Sequence, residues 1–124
     1  MAVEIRDNNR DVIGYVQGNE IKAKGGAFTA GPTVLRIDGD EIREPGGFLG
    51  GGESVAKIDG SDIIERHDNW TEGEVVACVE RRTEVRVMNG GLFSAGTLLA
   101  TVGDEADLTQ TAAAGAAVYF EYLP

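Results

Sequence analysis

The sequence predicts an all-β fold: β-hairpins of about 21 residues, repeated in series and forming a closed or nearly closed shallow barrel. Three observations predict it. The apolar residues Ile13, Val34, Val55, Val76 and Leu99 open successive copies at steps of 21, 21, 21 and 23 residues, and a fixed period in this range marks a repeat architecture. Gly18-Asn19, Gly39-Asp40 and Gly60-Ser61 recur at one point of the repeat, and glycine followed by a small polar residue suits a two-residue hairpin loop that needs positive φ. Counting outward from those loops places Val16 opposite Ile21, Ile37 opposite Ile42 and Ile58 opposite Ile63. Turn and apolar pattern thus agree on one face of each hairpin.

Each copy begins with a short apolar strand: IGYV at 13–16, VLRI at 34–37, VAKI at 55–58, VACV at 76–79 and LATV at 99–102. A second strand follows, centred on Ile21, Ile42, Ile63, Val85 or Leu108. Copies four and five carry one extra residue between the paired apolar positions, which a three-residue loop absorbs. The central residue often has an acid before it and a base after it, as in Glu20-Ile21-Lys22, Glu41-Ile42-Arg43 and Glu84-Val85-Arg86. Alternation turns those charges to the opposite face, where they read as a solvated surface. A glycine-rich stretch with one aromatic closes each of the first four copies: Phe28, Phe48, Trp70 and Phe93.

The ends look like halves of a further hairpin. Glu4-Ile5-Arg6 has the form of a second strand, and Val118–Leu123 (VYFEYL) that of a first. Pairing of the termini would complete a sixth hairpin and close the ring, removing exposed edges; pairing of the C-terminal strand with another subunit is the alternative. Helix signals are sparse. Only 104–117 holds reasonable helix formers, and Gly115 and the repeat register argue against a long helix there.

At 124 residues with 18 glycines and 6% aromatics, the chain is a single domain, 1–124, with a modest core. A net charge of −10 and a pI near 4.4 argue against nucleic acid as a partner, since its phosphates are repelled; a local basic cluster, Arg81-Arg82 with Arg86, falls in copy four. Plain attraction to anionic lipid is disfavoured for the same reason. With one cysteine, no apolar run of membrane-spanning length and no leader-like N-terminus, a cytoplasmic location is expected.

The stretch Ile5–Lys22, IRDNNRDVIGYVQGNEIK, resembles the four-fold β-flower domains, whose repeats read I-x-D-x-N-G-x-x-I-G-x-I-x-G-N-x-I. Ile5, Asp7, Asn8, Ile13, Gly14, Val16, Gly18, Asn19 and Ile21 carry the match, and Arg10 or Asn9 stands where the family has glycine. The close match covers one copy; later copies keep V-x-x-I-D-G-x-x-I and add longer glycine-rich loops. The resemblance implies a shallow, nearly symmetric barrel of hairpin petals without an established biochemical function. A further likeness to tubby-like barrels implies contact with lipid. Five copies, or six with the split one, depart from the family's four.

No residue set points to catalysis. His67 lies in a polar loop without a placed nucleophile, and Cys78 on a strand reads as a packing residue. Asp38–Glu41 and Asp59–Asp62 lack the spacing of a calcium loop and are accounted for by turn chemistry. Gly46-Gly47 and Gly50–Gly52 lack the Lys-Ser/Thr and helix of a phosphate loop. No metal or cofactor is expected. The reading is therefore a non-enzymatic binding or scaffold domain. Phe28, Phe48, Trp70 and Phe93 either cap the core or line a mouth for an apolar small molecule or lipid. The alternative is a structural protein that acts through homo-oligomerisation.

Overall fold

The computed structural model describes residues 2–25, 30–46, 52–66, 72–88 and 95–123. Among them the chain forms ten strands and one helix. The strands are β1 (Ala2–Arg6), β2 (Val12–Gln17), β3 (Glu20–Lys24), β4 (Ala30–Asp38), β5 (Glu41–Arg43), β6 (Ser54–Asp59), β7 (Asp62–Arg66), β8 (Glu72–Glu80), β9 (Glu84–Met88) and β10 (Ala95–Val102). The helix α1 spans Leu108–Tyr119. Each strand pairs antiparallel with its chain neighbours, and β1 joins β10, so the sheet is a closed barrel.

The hairpins form where the turn chemistry places them. Val16 faces Ile21, Ile37 faces Ile42 and Ile58 faces Ile63. Positive φ falls on Gly18, Gly39 and Gly60, at +59°, +64° and +62°, and not on the residue after each. That is the II′ pattern, which matches the right-handed twist of the flanking strands. The extra residue of copy four becomes a three-residue loop, Arg81–Thr83, between Glu80 and Glu84.

The fifth copy corrects the expected closure. The N-terminal strand does close the ring, but its partner is β10 rather than residues 118–123: Ile5 faces Val102 and Arg6 faces Thr101. Glu4-Ile5-Arg6 is thus the second strand of unit five, the role the sequence pattern gave to the segment around Leu108. The barrel has five hairpins, not six. With the ladder complete, residues 108–119 have no edge to join, and they form a helix where a strand and a loop were expected.

A bulge at each of the five seams shapes the barrel, and three seams carry a second shift nearer the loops. Where each hairpin meets the next, the register jumps by one residue: Ile5 faces Gly14 but Arg6 faces Val12, and Ile42 faces Ala56 but Arg43 faces Ser54. The same jump recurs in the other three units. The residues skipped are Ile13, Val34, Val55, Val76 and Leu99, the openers of the repeat. A bulge bends its strand and raises local twist, and a repeated bulge curls a sheet into a barrel.

Inside, Ile5, Ile21, Ile42, Ile63 and Val85 are fully buried, one from each unit. Their partners across the inter-hairpin seams are Gly14, Leu35, Ala56, Ala77 and Ala100. Four of those five are small, so space remains along the axis. α1 fills it: Thr111–Ala117 are all buried. A helix of alanine and glycine is slim, its backbone cylinder about 2.3 Å in radius, which suits a lumen too wide for side chains alone and too narrow for a bulky helix.

Both ends of α1 are fixed. Asp107 forms a capping box with Gln110: Gln110 N–H donates to Asp107 Oδ1 at 2.7 Å and Asp107 N–H to Gln110 Oε1 at 2.9 Å. Gln110 Nε2 also donates to the Gly18 carbonyl at 2.8 Å, tying the helix to the first hairpin tip. At the far end Tyr122 N–H reaches Ala117 O at 2.8 Å and Glu121 N–H reaches Val118 O at 3.2 Å, a Schellman stop with Glu121 in the left-handed region at φ +67°. Among the described residues no helix is long and apolar enough to cross a membrane.

Candidate functional site

The hairpin tips lie at one end of the barrel, and the strand ends that flank the glycine-rich stretches lie at the other. The charged flanks of the second strands hold the loop end together. Arg43 Nη2 pairs with Glu41 Oε2 at 2.6 Å while its Nη1 donates to the Gly52 carbonyl at 3.2 Å. Arg86 repeats this with Glu84 at 3.1 Å and the Gly96 carbonyl at 3.3 Å, and Arg6 with Glu4 at 2.6 Å and the Arg10 carbonyl at 2.8 Å. In each case the acid orients the guanidinium, and the guanidinium holds the backbone where the loop returns to the barrel. The acid–apolar–base pattern is therefore more than a solvated face: in units two and four it clamps the necks at Gly52 and Gly96.

Ser54 Oγ also donates to Glu41 at 3.2 Å and Arg66 lies 3.4 Å from it. Burial pushes the Glu41 carboxyl up, but the hydrogen bond and charge of Arg43, with Ser54 and Arg66, outweigh it and hold the group below the usual carboxylate range. In unit one Glu20 accepts from Thr33 Oγ1 at the corresponding place. In unit three Asp62-Ile63-Ile64 breaks the pattern, and Ile64 faces Val75 instead.

Two of the glycines are required at the necks. A Cβ on Gly52 would stand 2.4 Å from the Glu44 carbonyl oxygen, and one on Gly25 would stand 2.9 Å from that of Ala30. The neck of the second loop is closed by Glu44 N–H to Glu53 O at 2.9 Å and Gly52 N–H to Glu44 O at 3.0 Å. Loop bases this narrow admit no side chain.

The C-terminal segment covers the loop end of the lumen. Leu123 packs its methyls where Gly14 lacks a Cβ. Tyr122 donates its hydroxyl to Glu44 Oε2 at 2.6 Å. Burial first, then the bond to Glu44 and the charges of Glu44 and Glu53, push the Tyr122 phenol up to about 12. Beside it lies a cleft of about 300 Å³ lined by Glu44, Glu53, Glu65, Arg66, Phe120 and Tyr122 among others. A second cleft, about 540 Å³, lies on the outer face of β1–β3 between Arg6, Arg10, Lys24 and Tyr15.

The four aromatics singled out by the sequence, Phe28, Phe48, Trp70 and Phe93, lie outside the described residues, as does His67. What is defined is the necks that carry their loops. Cys78 is half-buried on β8, opposite Asp62 and Arg86; burial, with the nearby Glu80 and Asp62 charges, raises its thiol and keeps it a poor nucleophile. Among the described residues no three His, Cys, Asp or Glu groups gather as a metal ion would require. Sequence reasoning missed the plug helix and Tyr122. The capping box Asp107–Gln110 was the readable signal for the first; nothing local marks the second, because Glu44 lies 78 residues away. Compared with family models, curated proteins and solved structures, the chain gives no match.

Proposed function

We propose that the protein is a non-enzymatic binding domain that contacts an apolar ligand or lipid through its glycine-rich loops, with Phe28, Phe48, Trp70 and Phe93 as the contact residues. The observation that carries this reading is the filled lumen. Among the described residues α1 fills the axis of the lumen and Tyr122 and Leu123 lie over its end, which supports recognition by what the loops present rather than by an interior chamber. The clamped necks support it as well: a loop fixed at its base loses less freedom on binding than a free one. The reading differs from an acyl chain swallowed by a barrel; it favours a surface such as a bilayer interface or micelle. We further read the chain as a five-petal relative of the β-flower domains, on the hairpin barrel and the Ile5–Lys22 stretch.

Trp70 is the sole tryptophan, so its emission tests the proposal. Titration with neutral lipid vesicles should give a saturable blue shift, lost when Phe48 and Phe93 become alanine in a protein that keeps its melting temperature. An emission maximum indifferent to vesicles, detergent micelles and fatty acids would sink it. A second reading, homo-oligomeric assembly, has one observation in its favour: Ile64 and Val75 form an apolar pair on the outer face, and Val75 is 36% exposed. Light scattering that gives a stable dimer or larger species, broken by Val75→Glu, would favour it.

A further inference from the structure

We propose that the outer cleft between β1, β2 and β3 binds a small organic carboxylate carried on an apolar or aromatic body. The cleft encloses about 540 Å³, within the usual range for small-molecule sites. Its charge is opposite to that of the chain. Arg6, Arg10 and Lys24 face Glu4 and Asp11 here, so cations outnumber acids, whereas the cleft beside Tyr122 holds three glutamates and one arginine.

The cations differ in their commitments. Arg6 is occupied at both terminal nitrogens, by Glu4 and by the Arg10 carbonyl. Its role is to position Arg10. The side chains of Arg10 and Lys24 have no ion pair among the described residues, and both residues are exposed. Between them Tyr15, 6% exposed, supplies an aromatic wall and Val12 an aliphatic one. A guanidinium fork and an ammonium beside a ring match an anionic head on an apolar body. A single negative charge fits better than a phosphate dianion, because Asp11 lies in the same wall.

The backbone supplies a second, independent observation. Arg10 sits at φ +70°, a region glycine enters freely and a long side chain does not. It is fixed there by the turn that Asp7 organises, with Asn9 N–H and Asp11 N–H both donating to Asp7 Oδ1, at 2.9 and 3.0 Å. Arg81, Arg82 and Glu121 share this region, so the conformation gains weight at Arg10 because that residue also lines the cleft. Folding alone would favour glycine at this position.

That conflict provides the test. The full chain, isotope-labelled, is titrated with 2-naphthoate and separately with neutral 2-naphthylmethanol at moderate salt, and amide shifts are followed. We expect saturable shifts at Val12, Tyr15 and Lys24 with the carboxylate, at least tenfold tighter than with the alcohol. Arg10→Gly should weaken binding at least fivefold while leaving the melting temperature unchanged or higher, which separates recognition from stability. Equal affinity for the alcohol, shifts centred elsewhere, or undiminished binding by Arg10→Gly would each overturn the proposal.

Discussion

Gly115 of the central helix presents its bare Cα to Val85 of the barrel wall, so closely that a Cβ there would stand 2.3 Å from Val85 Cγ1. The residue that argues against a helix by propensity is the one that lets the helix fit. Gly115→Ala should gain about 1 kcal/mol of helix propensity but overpack a fully buried contact, which costs about 1–3 kcal/mol and more where nothing can give. We expect net destabilisation by denaturant unfolding. Val85→Ala in the same chain should restore part of it. A stabilised Gly115→Ala single mutant would show that the helix does not lie against β9.

The hairpin tips should discriminate sharply between their two central residues. Gly39→Val and Gly60→Val place a β-branched side chain at φ +64° and +62°, a strain on the order of 1–3 kcal/mol. Asp40→Asn and Ser61→Asn leave the II′ geometry intact and should shift the melting temperature little. Similar losses from all four changes would contradict the turn assignment.

The helix stop offers a stabilising change. Glu121 occupies the position after the cap at φ +67°, where glycine is the usual residue. Glu121→Gly should therefore raise stability by about 1 kcal/mol, visible as a higher denaturation midpoint with an unchanged slope. A lower midpoint would mean that the Glu121 side chain contributes something its backbone conformation does not reveal.

Tyr122 gives a pH signature. Its phenol is pushed up to about 12 in the folded protein, against about 10 when unfolded. Between those values the native state holds a proton that the unfolded state has released, so stability falls as pH rises through that window and is fully present below it. Ultraviolet titration should show a late tyrosine phase that Tyr122→Phe removes. If Tyr122→Phe removes a phase near pH 10 instead, the Tyr122–Glu44 bond is absent in solution.

The acidic flank predicts the opposite dependence. Glu41 is held below the usual carboxylate range by Arg43, Ser54 and Arg66 against the effect of burial. A depressed carboxylate contributes stability above its unfolded value that is lost as pH falls through the folded one. Glu41→Gln should flatten the acid limb of the stability profile below about pH 4.5; an unchanged limb would show that the clamp around Arg43 is not maintained.

The hairpins were legible in the sequence because everything that specifies them is local. A glycine at positive φ, a small polar residue after it and apolar residues at matched distances fix the turn, the register and the inward face within a dozen residues, as at Ile37-Asp38-Gly39-Asp40-Glu41-Ile42. The closing pair was beyond that reach. Ile5 and Val102 lie at opposite ends of the chain, and their strands read equally well as partners of other segments. Only the curvature from five bulges brings β1 to β10 and leaves the C-terminal segment without an edge. The fate of residues 108–119 followed from that. Their alanines favour a helix and Gly115 and the repeat register oppose one, and the balance is settled inside a closed barrel lined by Gly14, Ala56, Ala77 and Ala100, where a slim helix satisfies its own backbone and fills the space. The hairpins were decided by contacts between neighbours in sequence; the closure and the plug were decided by the curvature of the sheet and the shape of the cavity it encloses.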